Sequence, residues 1–195
     1  MNLGNRTRVR RGQPRGMRGE SAFTLLEVLI ASSAMLVASL GFTQALVSAS
    51  RAQTMAREQT QALEACRRQI EVIKTETLRD RFREYNSAGS DDVDGNGRGP
   101  GPSFVVTGLS AADGDTDGIV GEVVFPTVSG APTILREDLN MPELGLPLDL
   151  DSDGVIDATN HSSDYELLPI LVRVRWRSAA GEAQVQMQCI LGEDV

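Results

Sequence analysis

The chain has 195 residues and a formal charge of −8 at pH 7, with 24% charged and 4% aromatic residues. That length allows one modest soluble domain beyond any membrane segment, and so few aromatics offer no stacking platform for a ligand. The charge is unevenly divided: Arg6, Arg8, Arg10, Arg11, Arg15 and Arg18 stand against Glu20 in residues 1–22. The remaining body is acidic, which argues against nucleic acid as a partner because phosphate neutralisation needs clustered Lys and Arg.

Residues 1–22 read as a basic leader outside the folded structure. The next segment, 23–50 (FTLLEVLIASSAMLVASLGFTQALVSAS), is apolar or small almost throughout, and its one charged residue is Glu27. A spanning helix needs about 20 predominantly apolar residues to cross ~30 Å of hydrocarbon, so this segment is long enough. The arginines before it predict a cytoplasmic N-terminus and an exported C-terminal body, in a single pass. Ala34/Ala38 and Gly41/Ala45 lie four apart, a spacing that lets helices approach closely in a membrane. A carboxylate in that apolar layer costs at least a few kcal/mol, so Glu27 is expected to have a partner and a purpose.

AFTLLEVLIA resembles the cleavage and methylation segment of type IV prepilins and type II secretion pseudopilins. The resemblance implies that a prepilin peptidase cuts between Ala22 and Phe23, that the new amine of Phe23 is methylated, and that Glu27 is retained in the membrane for assembly. The residue before the cut is usually Gly in that family; here it is Ala22, the next smallest side chain. A new amine at Phe23 would lie one helical turn from Glu27, which can pair with it or with the amine of a neighbouring subunit. The implied partners are the peptidase, other pilin or pseudopilin subunits and the inner membrane.

From Arg51 the composition changes but helical character continues, with no Pro or Gly through 51–78. Met55, Ala62, Leu63, Cys66, Ile70 and Ile73 fall at helical spacing, so one helix is expected from about Thr24 to Ile73, with an amphipathic second half. The exported body, 79–195, opens on a Gly-, Asp- and Pro-rich loop region over 86–118. Short β-like runs follow at Ser103–Thr107 and Ile119–Phe125. The clearest strands come last: Ile170, Val172, Val174 and Trp176 alternate with Arg173, Arg175 and Arg177, and Val185, Met187, Cys189 and Leu191 alternate with Gln184, Gln186 and Gln188. This hairpin is expected at the centre of the sheet that covers the helix stripe. The fold class is therefore α+β, a long N-terminal helix packed against a small antiparallel sheet, which is also the pilin-like arrangement. No proline occurs between Pro14 and Pro100, and that absence, with the QIEVIK stretch, resembles minor rather than major subunits of the family.

Nothing in the sequence points to catalysis: there is no G-x-S-x-G, no P-loop and no zinc pattern of paired Cys or His. His161, the only histidine, reads as a solvated loop residue. The chain is thus read as a structural subunit and not as an enzyme, either polymerised into a pilus or secretion filament or, alternatively, a signal-anchored calcium-dependent binding or adhesive module that does not polymerise. Three acidic loops carry Asp-x-Asp/Asn spacing with a nearby Gly: Asp92–Gly97, Asp113–Gly118 and Asp149–Gly154. Alternate carboxylates in a tight turn suit a hard cation, so calcium is expected at Asp149, Asp151, Asp153 and Asp157, and less strongly at Asp113, Asp115 and Asp117. Cys66 on the helix stripe and Cys189 on the inner face of the last strand are expected to meet as a disulfide in an oxidising compartment.

Overall fold

The computed structural model describes residues 24–193 except Asp94, Asn96 and Gly97. The chain divides into two compact units, 1–46 and 47–195. Helix α1, Leu25–Lys74, is unbroken over 50 residues. In its apolar part, Ser32, Ser33, Ser39 and Thr43 donate their hydroxyls to carbonyls three or four residues back. No hydroxyl of these four is left needing water, which is what a lipid environment demands of polar groups. An 18-residue window of α1 near the N-terminus has mean hydropathy 2.0 and no buried residue, so the helix is long and apolar enough to cross a membrane.

In the second unit Ala62, Cys66, Ile70 and Ile73, spaced four, four and three apart, are the residues α1 buries. A second helix, α2 (Leu78–Tyr85), follows a break at Thr75–Thr77 and buries Leu78, Phe82 and Tyr85 at the same kind of spacing. Its LRDRFREY sequence is highly charged, and the sequence analysis did not anticipate it as an element of its own. Arg81 on α2 is buried and donates to the carbonyls of Lys74, Glu76 and Gly192.

Four antiparallel strands form the main sheet: β1 (Ser103–Phe104), β2 (Gly121–Val124), β5 (Leu168–Ser178) and β6 (Gly181–Leu191), in the order β1-β2-β5-β6. Between β2 and β5 in the sequence comes a separate ribbon of β3 (Thr127–Val128) and β4 (Ala131–Leu135). Gly121 faces Phe104, whose ring would lie 2.5 Å from any added Cβ, so a larger residue there would have to displace that ring. The hairpin β5–β6 is in register from Leu168↔Leu191 to Ser178↔Gly181. As alternation predicts, Ile170, Val172, Val174 and Trp176 are buried in one cluster with Ala62, Cys66, Ile70 and Ile73.

The structure corrects the expected place of the hairpin in the sheet. Of the hairpin's two strands β5 is interior, whereas β6 is an edge strand, paired on one side. Val185, Met187 and Cys189 accordingly pack against the core yet remain half-buried. The opposite face of β5 is covered at Leu171 by Leu144 and Leu146 from the segment that follows β4.

Candidate functional site

The proposed processing site, Ala22 and Phe23, lies outside the described residues, as does the whole leader. Glu27 lies at the start of α1. Its carboxylate accepts hydrogen bonds from the backbone N–H of Thr24 at 3.0 Å and from the Thr24 hydroxyl at 3.1 Å. In return, the Thr24 hydroxyl oxygen accepts the Glu27 N–H at 3.3 Å. This is a reciprocal capping box, T-x-x-E, which satisfies orphan donors at the helix end. The one charge in the apolar segment therefore already has a local partner within its own helix.

The expected disulfide is absent. Both cysteines are free thiols: Cys66 is buried and donates to the Val172 carbonyl of β5, whereas Cys189 turns to the carbonyl of its neighbour Ile190. The reason is register. Cys189 stands on the edge strand opposite Ile170, while Cys66 of α1 packs over the interior strand at Val172, so the helix sets its sulfur over β5 and not over β6. Burial pushes the Cys66 thiol up to about 11, which keeps it protonated.

The acidic loops fare differently from one another. Of the first, Asp94, Asn96 and Gly97 lie outside the described residues, and Asp92 accepts the Gly99 N–H. In the second, Asp113 is paired with Arg177 at 2.7 Å, while Asp115 and Asp117 accept backbone N–H groups of their own turn. The third is the best gathered: Asp149, Asp151 and Asp153 bring carboxylate oxygens within 4.8 Å of one another. Asp157, expected to join them, instead accepts the Thr159 N–H and lies 3.4 Å from His161 Nε2.

Beneath this loop sits Glu137, which the sequence analysis did not single out. It is fully buried, and its carboxylate accepts the backbone N–H groups of Leu150, Asp151 and Asp157. A buried carboxylate survives only with such donors. The loop 149–157 is folded over Glu137 as a helix N-terminus closes over its cap. No periodicity links positions 137 and 150, and Glu137 sits between Arg136 and Asp138 in a charged triplet that reads as exposed, so no sequence signal for this contact existed.

His161 overturns its expected solvation: it is only 4% exposed. The imidazole is ringed by carboxylates. Nε2 lies 3.6 Å from Glu137 and 3.4 Å from Asp157, and Nδ1 lies 3.5 Å from both Asp151 and Asp164. Burial alone would pull the imidazole down, but Glu137, Asp157, Asp164 and Asp151 together hold it above its ordinary value. Glu137, Asp151 and His161 each offer a ligand atom, all within 4.8 Å of one another. The chain matches no family model, no curated protein and no solved structure.

What the arrangement can do chemically is hold a cation. Two triads share Asp151: an outer one of aspartates with Asp149 and Asp153, and an inner one with Glu137 and His161. Asp149 Oδ1 and His161 Nδ1 are buried atoms without a hydrogen-bond partner among the described residues. The groups are joined by 32 residues, 136–167, with one short 3-10 turn and no strand among them. Loop geometry there rests on carboxylates accepting backbone N–H groups rather than on a ladder.

Proposed function

We propose that this protein is a membrane-anchored, pilin-like subunit of the minor or pseudopilin type, cut by a prepilin peptidase between Ala22 and Phe23 and assembled into a type IV pilus or type II secretion filament. The observation that carries the reading is α1. One helix is apolar and unburied over its N-terminal part and buries a four-four-three stripe in its C-terminal part. An apolar helix surface of that length needs lipid or other helices against it. The resemblance of AFTLLEVLIA to the prepilin segment then supplies the kind of assembly. In the same reading, calcium at Asp149, Asp151 and Asp153 stabilises the exported domain.

One observation favours the alternative of a non-polymerising signal anchor: Thr24 already engages Glu27, which then needs no second subunit. Glu27→Ala separates the two. A filament subunit should reach the membrane normally, because the helix becomes more apolar, and then fail to enter filaments sheared from the cells. Equal recovery of wild type and variant in the filament fraction would remove Glu27 from assembly and leave it as a helix cap.

A further inference from the structure

We propose that Glu137, Asp151 and His161 form a binding site for a divalent metal ion of the zinc class, with Nδ1 of His161 as the nitrogen ligand. The inference does not depend on the filament reading; it rests on the buried side of the third acidic loop.

The decisive atom is Nδ1. On the other side of the ring, Nε2 lies 2.9 Å from the Thr159 hydroxyl and 3.4 Å from the Asp157 carboxylate. Acceptors of that kind fix the N–H on Nε2, as outer-shell partners of a metal-bound histidine do. Nδ1 then carries a lone pair. It is buried, has no hydrogen-bond partner among the described residues, and faces the carboxylates of Asp151 and Asp164, each at 3.5 Å. Two lone-pair atoms that close repel unless a positive centre lies between them, either a proton on Nδ1 or a metal ion that takes its place. The separation is too long for a hydrogen bond. It fits two ligands of one ion: bonds of about 2.0–2.2 Å at a tetrahedral angle put ligand atoms roughly 3.4 Å apart.

The donor set selects the class of ion. Calcium and magnesium take oxygen ligands, whereas imidazole together with carboxylates suits zinc and its neighbours. Glu137 and Asp151 supply the charge that a dication needs in a buried place. Three protein ligands leave a fourth position for water or for Asp149, whose Oδ1 is buried and unpartnered. The three ligands come from positions 137, 151 and 161, so an ion there would pin both ends of the long loop between β4 and β5. A site of this kind replaces packing that a strandless segment cannot supply.

The test uses the full-length, untagged chain in detergent, stripped with chelator and titrated with zinc chloride or calcium chloride. His161 is the only histidine, so its imidazole proton resonances report the nitrogen ligand without any substitution. One equivalent of zinc should shift them strongly, and excess calcium, held by oxygen on the outer triad, should shift them less. His161→Gln should weaken zinc binding beyond the roughly 10–100-fold that loss of an outer-shell partner costs, while Asp113→Asn should leave it unchanged. Imidazole resonances unmoved at saturating zinc, equal shifts with calcium, or undiminished zinc binding by His161→Gln would each overturn the proposal.

Discussion

Replacing Arg81 by Met should loosen the whole second unit. Its guanidinium donates to the carbonyls of Glu76 at 2.9 Å, Lys74 at 3.1 Å and Gly192 at 3.1 Å, tying the end of α1 to the chain just beyond β6. The last carbonyls of a helix have no intrahelical partner, and a cation there also meets the negative end of the helix dipole. Hydrogen bonds to a charged group contribute about 1.5–3 kcal/mol each, but Lys74, Glu76 and Gly192 are open enough for water to replace part of that. Met keeps the apolar stem, so cavity formation adds little. The net loss should be about 2–4 kcal/mol, or roughly 4–16 °C in Tm for a domain of this size. Urea unfolding of the full chain in detergent measures it, with Arg175→Met as an exposed control expected to move stability by less than about 0.5 kcal/mol. A loss for Arg81→Met no larger than the control's would refute the clamp.

Three further outcomes follow from the same structure. Native alkylation should modify Cys189 readily and Cys66 only after unfolding, because burial pushes the Cys66 thiol up to about 11; a chain that takes up label at neither cysteine until reduced would restore the disulfide. Burial also pushes the Tyr165 hydroxyl up to about 12, above the unfolded value of about 10. Its neutral form is favoured in the fold, so that stability is intact below pH ~10 and should fall by about 2–3 kcal/mol as pH rises toward 12; Tyr165→Phe should flatten the decline, and an unchanged pH profile would contradict it. Calcium should stabilise the fold through the outer triad by about 2.7 kcal/mol at 100 times its dissociation constant, and so raise Tm over chelator. Asp153→Asn should remove that gain while leaving zinc binding in place, and identical melting with calcium and chelator would exclude the calcium reading.

Legibility in the sequence followed periodicity. Ala62, Cys66, Ile70 and Ile73 stood out because helical spacing repeats over many turns, and Ile170 to Trp176 because strand alternation does. The edge position of β6 was hidden, since Val185, Met187 and Cys189 alternate in the same way on an edge strand as on a central one. Helix α2 was missed because three apolar residues among five charges make a weak pattern over 78–85. Its signal was present in the spacing of Leu78, Phe82 and Tyr85, and in Thr77 three residues before Asp80, whose carboxylate accepts the Thr77 hydroxyl. Glu137 and His161 carried no pattern at all. Their meeting depends on a strandless loop folding back on itself, and burial of a lone His or Glu follows from tertiary contacts that local sequence does not encode.

The central claim is that this helix is the stem of a processed filament subunit, and the mass of its N-terminus tests it most directly. Protein extracted from membranes of cells that also make a prepilin peptidase should begin at Phe23 with a methylated amine. Ala22→Gly should process at least as well, and a bulky residue at position 22 should block the cut. A chain recovered only with residues 1–22 intact, in the presence of active peptidase, would contradict the account and leave a plain membrane anchor.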